Sequence, residues 1–355
     1  MDPKGTFAAK LLDSGLRAFA ASAVLRERDS LRSDGTSLGP NAFEDLVRDA
    51  ETHILYLGEA LAAGRPALFA SNVEWTRSSY AARGLSDERV ERHLACLRAE
   101  LASELPPGAR ESALAVVDGA ASVFERPPAP IPSIVDGHGP HVQRIRELLL
   151  AVLEGRRDDA LDLVLRAYED GLSIDVLQSS ILVPVQQEIG RMWQRGDVHV
   201  HEEHVCSQII EEALVLLSGF SRTRPTLDKT VLVSSVQGNL HDIGARVVAD
   251  HFQRAGWNTI RLGSSLPGDD LARAAHDFHG DLVALSVTMA LHIRGTAAVI
   301  DTLRAQLGDA TPPILVGGPP FELVPDLWEA VGANASAKDA PSAVVAGAEL
   351  VGLAG

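Results

Sequence analysis

Apolar residues recur at three- and four-residue spacing through residues 1–125, in TFAAKLLDSGLRAFAASAVLRERD, AFEDLVRDAETHILYLGEALAAG and DERVERHLACLRAEL, which predicts a helical domain. Asp87 stands where it would cap the third run, and Gly108 follows a break at Pro106-Pro107. Residues 126–140 lose the periodicity and are rich in proline and glycine, so a linker is expected there. From 141 to 222 helical spacing returns in HVQRIRELLLAVLEG, DDALDLVLRAYEDG, SIDVLQSSILVPVQQEIGRMWQRG and HEEHVCSQIIEEALVLLSGF, whose short connections predict a four-helix bundle. Pro184 in the third run predicts a kink.

After residue 228 the pattern changes. KTVLVSSV, NTIRLG, DLVALSVTM and PPILVGG are short runs rich in Val, Ile and Leu, separated by helical segments. That alternation predicts a parallel sheet covered on both faces, a flavodoxin-like, Rossmann-type α/β domain over 228–355. The chain is thus expected to combine all-helical and α/β domains. Open parallel sheets bind ligands beyond the carboxyl ends of their strands, and the turn QGNLHDIG, residues 237–244, lies at one such end.

Composition narrows the partners. A formal charge of −16 opposes direct binding to nucleic acid or an anionic membrane, because phosphate surfaces need a basic excess. Cys96 and Cys206 lie far apart in helical contexts and are expected to be separate thiols. Neither a charged leader nor an apolar run of the ~20 residues that span a bilayer is evident, so a cytoplasmic location is expected.

Three short motifs follow predicted strands and would gather on one sheet edge: Asn239-x-His241-x-x-Gly244, Ser286-x-Thr288 and Gly317-Gly318. A histidine in such a turn can serve as an ordinary helix cap, or can offer a neutral imidazole nitrogen to a metal. A small hydroxyl beside a glycine pair would leave a slot for a bulky group. Together these motifs resemble the signature of the cobalamin-binding domain family, D-x-H-x-x-G, S-x-L and G-G. The resemblance implies that His241 is the lower axial ligand of cobalt and that Ser286 and Gly317-Gly318 make room for the nucleotide tail. It also implies that Asn239, Leu240, Asp242, Ile243, Gly244 and Thr288 border the cofactor. Asn239 stands where the family has an acid and Thr288 where it has leucine, which implies a somewhat weaker histidine–cobalt bond.

A second pattern, Trp193-x9-Glu203-His204, resembles the motif of adenosylcobalamin-binding photoreceptors, in which the Trp and the Glu-His pair enclose the upper adenosyl group. Those photoreceptors that regulate transcription carry a histidine directly after this Trp; here Gln194 occupies that position, which leaves His199, His201, His204 or water for the upper cobalt site. The N-terminal helices differ from a winged-helix DNA reader, and the architecture resembles the photocobilins, which bind biliverdin beside B12. That resemblance implies a bilin near Trp75, Tyr80 and His93, among neighbours that include His53 and Tyr56, with Arg65, Arg77 and Arg83 available to propionates. Cys96 is expected to be packing rather than a covalent attachment point.

The expected function is a light sensor rather than an enzyme, a homo-oligomer that repacks on illumination and signals to an unidentified effector. The alternative is a corrinoid carrier for methyl transfer. A phosphorylatable receiver lacks its acidic cluster here.

Overall fold

The computed structural model describes residues 1–33, 42–220 and 224–353, and the chain divides into two units. The first contains residues 1–129 together with 287–300 and 319–332, two segments contributed by the later chain. The second contains the remainder.

The first unit is built on six helices: α1 (Pro3–Ser14), α2 (Leu16–Ser33), α3 (Ala42–Ala63), α4 (Ala67–Ala82), α5 (Asp87–Glu104) and α6 (Pro107–Ala120). The one long helix expected at the N-terminus is two, because Gly15 caps α1 with its N–H on the carbonyls of Leu11 and Asp13. Ser86, not Asp87, caps α5, its hydroxyl accepting from Glu88 N. Asp87 instead receives Arg77 Nε and Nη2 at 2.8 and 2.5 Å. α4 escapes the periodicity because it buries polar residues, Asn72, Arg77, Ser78 and Ser79, among its apolar ones. α6 starts on Pro107, whose missing N–H costs nothing in the first turn.

Two arginine clamps tie the later segments to these helices. Arg294 donates its backbone N–H and Nε to Glu59 at 2.7 and 2.9 Å and its Nη atoms to Asp13. Glu59 is almost wholly buried, and Gly58 leaves room for the guanidinium, since a Cβ there would sit 3.4 Å from it. Arg65 makes a two-pronged bond to Asp326 at 3.1 and 2.6 Å.

The second unit joins a helical bundle to a sheet. The bundle comprises α7 (Val142–Leu153), α8 (Arg157–Glu169), α9 (Ile174–Leu177), α10 (Val183–Arg195) and α11 (Val200–Phe220), around Ile145, Leu149, Val164, Leu182, Ile189, Ile210 and Leu214. The kink expected at Pro184 is a π-helical turn at Gln178–Leu182, which accommodates the hydrogen bond the proline cannot make. The linker is partly held: Ser133 Oγ and Ile134 N donate to the buried Glu188 at 2.7 and 3.0 Å.

Five strands form an all-parallel sheet in the order β2-β1-β3-β4-β5: β1 (Thr230–Val236), β2 (Asn258–Leu266), β3 (Leu282–Ser286), β4 (Ile314–Gly317) and β5 (Ala335–Ala337). β5 is only Ala-Ser-Ala, too small to announce itself by hydrophobicity. Helix α12 (Ile243–Arg254) follows β1 and packs Phe252 edge-on to the buried Trp257 at 5.1 Å. It also meets the bundle, where its buried Asp250 accepts from Gln178 Nε2 of the π turn at 2.7 Å and from Ser218 Oγ at 2.8 Å. The thiols are free, and Cys206 is buried. Among the described residues no helix is long and apolar enough to cross a membrane.

Removing Arg294 strands a buried carboxylate, so Arg294→Ala is expected to destabilise the first unit by about 3–5 kcal/mol. Urea unfolding checks this, and the double variant Arg294→Ala/Glu59→Gln should recover much of the loss.

Candidate functional site

Just past β1 the chain turns through Gly238 (φ +87°) and folds Asn239 wholly inside. Asn239 Oδ1 accepts from the backbone N and the ring Nδ1 of His241, at 3.2 and 3.1 Å. Its Nδ2 donates to the carbonyl of Ser286 at 3.1 Å, joining this turn to the end of β3. Because an amide oxygen only accepts, Nδ1 carries the hydrogen and Nε2 keeps a lone pair. Ser235 Oγ adds a bond to His241 O at 3.2 Å.

His241 is exposed, and beside it Leu240 is 75% exposed, an apolar side chain that the chain itself leaves uncovered. Asp242 occupies the N-cap of α12 without a side-chain cap bond, and Ile243 packs against the bundle core. Gly244 lies close above Ser286, whose Oγ would be 3.7 Å from a Cβ there. The strand register sets Ser235, Ser286, Gly317 and Ala337 in one row across the sheet, all small. A Cβ on Gly317 would meet Ala337 O at 2.7 Å, and Gly318 turns away at φ +120°. Thr288 lies two residues beyond β3, in the segment that belongs to the first unit.

The second constellation lies on α10 and α11. α10 ends at Gly196 in the left-handed region (φ +81°), three residues past Trp193, which is 40% exposed and precedes Gln194. On α11, His204 Nδ1 donates to Glu203 Oε2 at 2.5 Å. Ser207 Oγ donates to Glu203 Oε1 at 2.6 Å, and Gln186 Nε2 of α10 donates to Ser207 Oγ at 2.7 Å. Trp193 stands two helical turns along from Gln186, so both lie on one side of α10. The rings of His199 and His201 stack at 5.9 Å. Gln186 and Ser207 escape a motif search because their part depends on a contact between helices; only the i+4 spacing of Ser207 from Glu203 hints at it. Two turns farther along α11, burial and the charge of Asp242 push the Glu211 acid above its usual range. The helix that carries Glu203 therefore also reaches the neighbourhood of the His241 turn.

The candidates in the first unit are only partly brought together. His93 and Tyr80 line one cavity with His53, Thr76, Asp49 and Arg89, of about 10 Å³, room for a single water. Trp75 is not among its lining residues and is 42% exposed. Arg77 is wholly buried on Asp87 and Glu74, and Arg65 is engaged by Asp326, so neither is poised for a propionate. His93 Nδ1 donates to the buried Glu27 at 2.8 Å, and Tyr80 Oη donates to Asp49 at 2.7 Å. Burial, reinforced by His93, pushes His53 down to about 3.

The sheet-edge residues suit a cobalt-centred macrocycle with a trailing group: an imidazole with a free Nε2, an uncovered Leu240 at the rim, and a row of small residues at the ends of the strands. Comparison with known proteins agrees. Residues 229–346 match the B12 binding domain, and residues 144–218 match a second family model also described as a B12 binding domain. A corrinoid protein of Desulfitobacterium hafniense is 23% identical over 214 residues, 58% of this chain and 96% of its own. The HTH-type transcriptional repressor CarA of Myxococcus xanthus is 27% identical over 210 residues, 59% of this chain and 67% of its own. The solved monomethylamine corrinoid protein of Methanosarcina barkeri shares the fold, with a TM-score of 0.53 at 18% identity over 59% of this chain and 99% of that one. The bundle and the sheet together are a two-part cobalamin-binding region.

Asn239→Asp supplies a charged acceptor for the His241 ring but removes the donor to Ser286 O. The variant should show a stronger histidine–cobalt signature in its absorption spectrum while losing about 1 kcal/mol of stability; an unchanged spectrum would overturn the orienting role. His53 resists protonation when folded but accepts it freely when unfolded. Stability should therefore fall as pH drops below about 6.5 toward 3, at up to about 1.4 kcal/mol per pH unit. Urea titrations of His53→Gln should give a profile flatter by one proton.

Proposed function

We propose that this cobalamin-binding chain is a light sensor that holds adenosylcobalamin between the sheet edge and the bundle. The observation that carries the reading is the oriented Glu203–His204 pair on α11, with Trp193 exposed near the end of α10. An aromatic face, a carboxylate and an imidazole are what a nucleoside upper ligand would require, whereas a methyl group would use none of them. When bound, the cofactor supplies a cobalt–carbon bond that visible light breaks.

The chain's own part is to orient and to report. Asn239 fixes the His241 tautomer so that Nε2 keeps its lone pair and would hold the cobalt, and the small row at Ser235, Ser286 and Gly317 would leave room for the cofactor's tail. Above, Glu203 accepts from His204 Nδ1, leaving His204 Nε2 free. Gln194 is an amide and offers no imidazole, so the side chains on this surface that could offer a ring nitrogen to the cofactor are His199, His201 and His204, with water as the other candidate. The mobile report is the bundle, whose π turn at Gln178–Leu182 bonds directly to α12 through Asp250. Such π turns interrupt a helix where function is often found, and a switch requires an element with two arrangements.

The biliverdin expected in the first unit would need its cavity to open well beyond the present single-water size. The output of the sensor would be a change of homo-oligomeric state read by an effector of unknown kind, with biliverdin in the first unit as a second chromophore. The alternative, a methyl-transfer carrier, is favoured by one observation: several relatives bear the name of corrinoid proteins, among them dimethylamine corrinoid protein 3 of Methanosarcina acetivorans, 23% identical over 209 residues.

The test is to load the protein with adenosylcobalamin in darkness, illuminate it, and record the spectrum and elution volume. Both should change, and methylcobalamin should bind less well. If illumination leaves the elution volume unchanged, the light-sensor reading fails, and methylcobalamin binding as tightly as adenosylcobalamin would then favour the carrier.

A further inference from the structure

The upper constellation has an inner end that the Trp and Glu-His residues do not account for. Gln186 Nε2 donates to Ser207 Oγ, which donates to Glu203 Oε1, and Nε2 also lies 3.5 Å from that same oxygen. This order fixes the amide: turned over, its oxygen would face the Glu203 carboxylate. Gln186 Oε1 consequently points the other way, where it is shut off from water and has no hydrogen-bond donor. A buried acceptor left in that state is unfavourable until a donor arrives.

The same side of α10 carries a second irregularity. Gly190 lies one turn from Gln186 and nearly one turn before Trp193, in the middle of a helix, where glycine is the poorest choice after proline. A Cβ placed there would meet no atom within 4 Å. The protein itself therefore gives no packing reason for the missing side chain, and the helix backbone is left bare between an amide acceptor and an exposed indole.

We infer that Gln186, Gly190 and Ser207 form the floor of the upper-ligand pocket and select a flat ligand that bears N–H or O–H donors, a nucleoside rather than an alkyl group. The inference rests on the reading of that surface as an adenosyl pocket. Gly190 lets a planar base lie against the helix, Gln186 Oε1 accepts from the base or sugar, and Ser207 is a positioning residue that holds the Glu203 carboxylate in the plane where it also fixes His204. The complement of one aromatic face, one amide acceptor and one oriented carboxylate is an aminated heterocycle on a hydroxylated sugar. A methyl group satisfies none of these sites.

The experiment is to measure, in darkness, the affinities of the full chain for adenosylcobalamin and methylcobalamin by absorbance, with the melting temperature of the cofactor-free protein alongside. Gln186→Met keeps the length of the side chain without its acceptor and should weaken adenosylcobalamin roughly tenfold, leaving methylcobalamin unchanged. Gly190→Ala guards against loss of folding: alanine is the better helix former, so the cofactor-free protein should melt higher while adenosylcobalamin binding falls. Ser207→Ala should shift the adenosyl-bound spectrum, and Ser207→Thr, which retains the hydroxyl, should restore it. Equal loss for both cofactors, no loss for either, or a wild type that does not distinguish them would each overturn the inference. Failure of the light-sensor reading is separable, because it requires only that illumination leave the elution volume unchanged while this dark selectivity persists.

Discussion

A parallel sheet covered on both faces forces its polar chemistry to one place. The strands β1, β3 and β4 are buried along their length, so side chains that meet a ligand must come from the turns at the carboxyl edge. Everything else in the second unit is arranged around that edge. The Asn239 amide ties the β1 turn to the end of β3, the strand register aligns Ser235 with Ser286 and Gly317, and α12 begins directly above them. His241 is free to face outward because its ring is already held from behind.

The same constraint explains how the two units are built. The connections after β3 and β4 must leave from this edge, and they contribute residues 287–300 and 319–332 to the helical unit. There Arg294 meets buried Glu59, and Arg65 meets Asp326. The strands that end in Ser286 and Gly317 thus continue, within a few residues, into segments anchored on the N-terminal helices. Farther along α12, Asp250 receives Gln178 of the π turn and Ser218 of α11, so the helix that starts at the His241 turn is also bonded to the bundle that carries Trp193 and Glu203.

Local signals served well where one residue type answers one local need. His241, Gly244 and the Gly317-Gly318 pair were visible because a βα turn, a helix entry and a crowded strand end each demand particular residues at set spacing. Periodicity failed where the local need was overridden. α4 buries a whole arginine among serines, so its apolar stripe is broken, yet Arg77 is satisfied by Asp87, Glu74 and two carbonyls. β5 consists of two alanines and a serine, and only its neighbour β4 makes it a strand. Of Trp75, Tyr80 and His93, only Tyr80 and His93 line one cavity, because Trp75 stands five residues before Tyr80 on α4 and so faces another side of that helix.

The sequence by itself determined the order of helical and α/β parts, the parallel sheet and the identity of the sheet-edge residues, since these follow from hydrophobic period and turn chemistry, which act over a few residues. Only the tertiary structure decided what Asn239 does. In the chain it reads as a weakened substitute for an acid, whereas in the fold it accepts from His241 and donates to Ser286, 47 residues away, a bond that an acid could not supply. It likewise decided that Gln186 belongs with Ser207 and Glu203. Hydrogen bonds between elements depend on how the elements pack, and packing is a property of the whole chain rather than of any stretch within it.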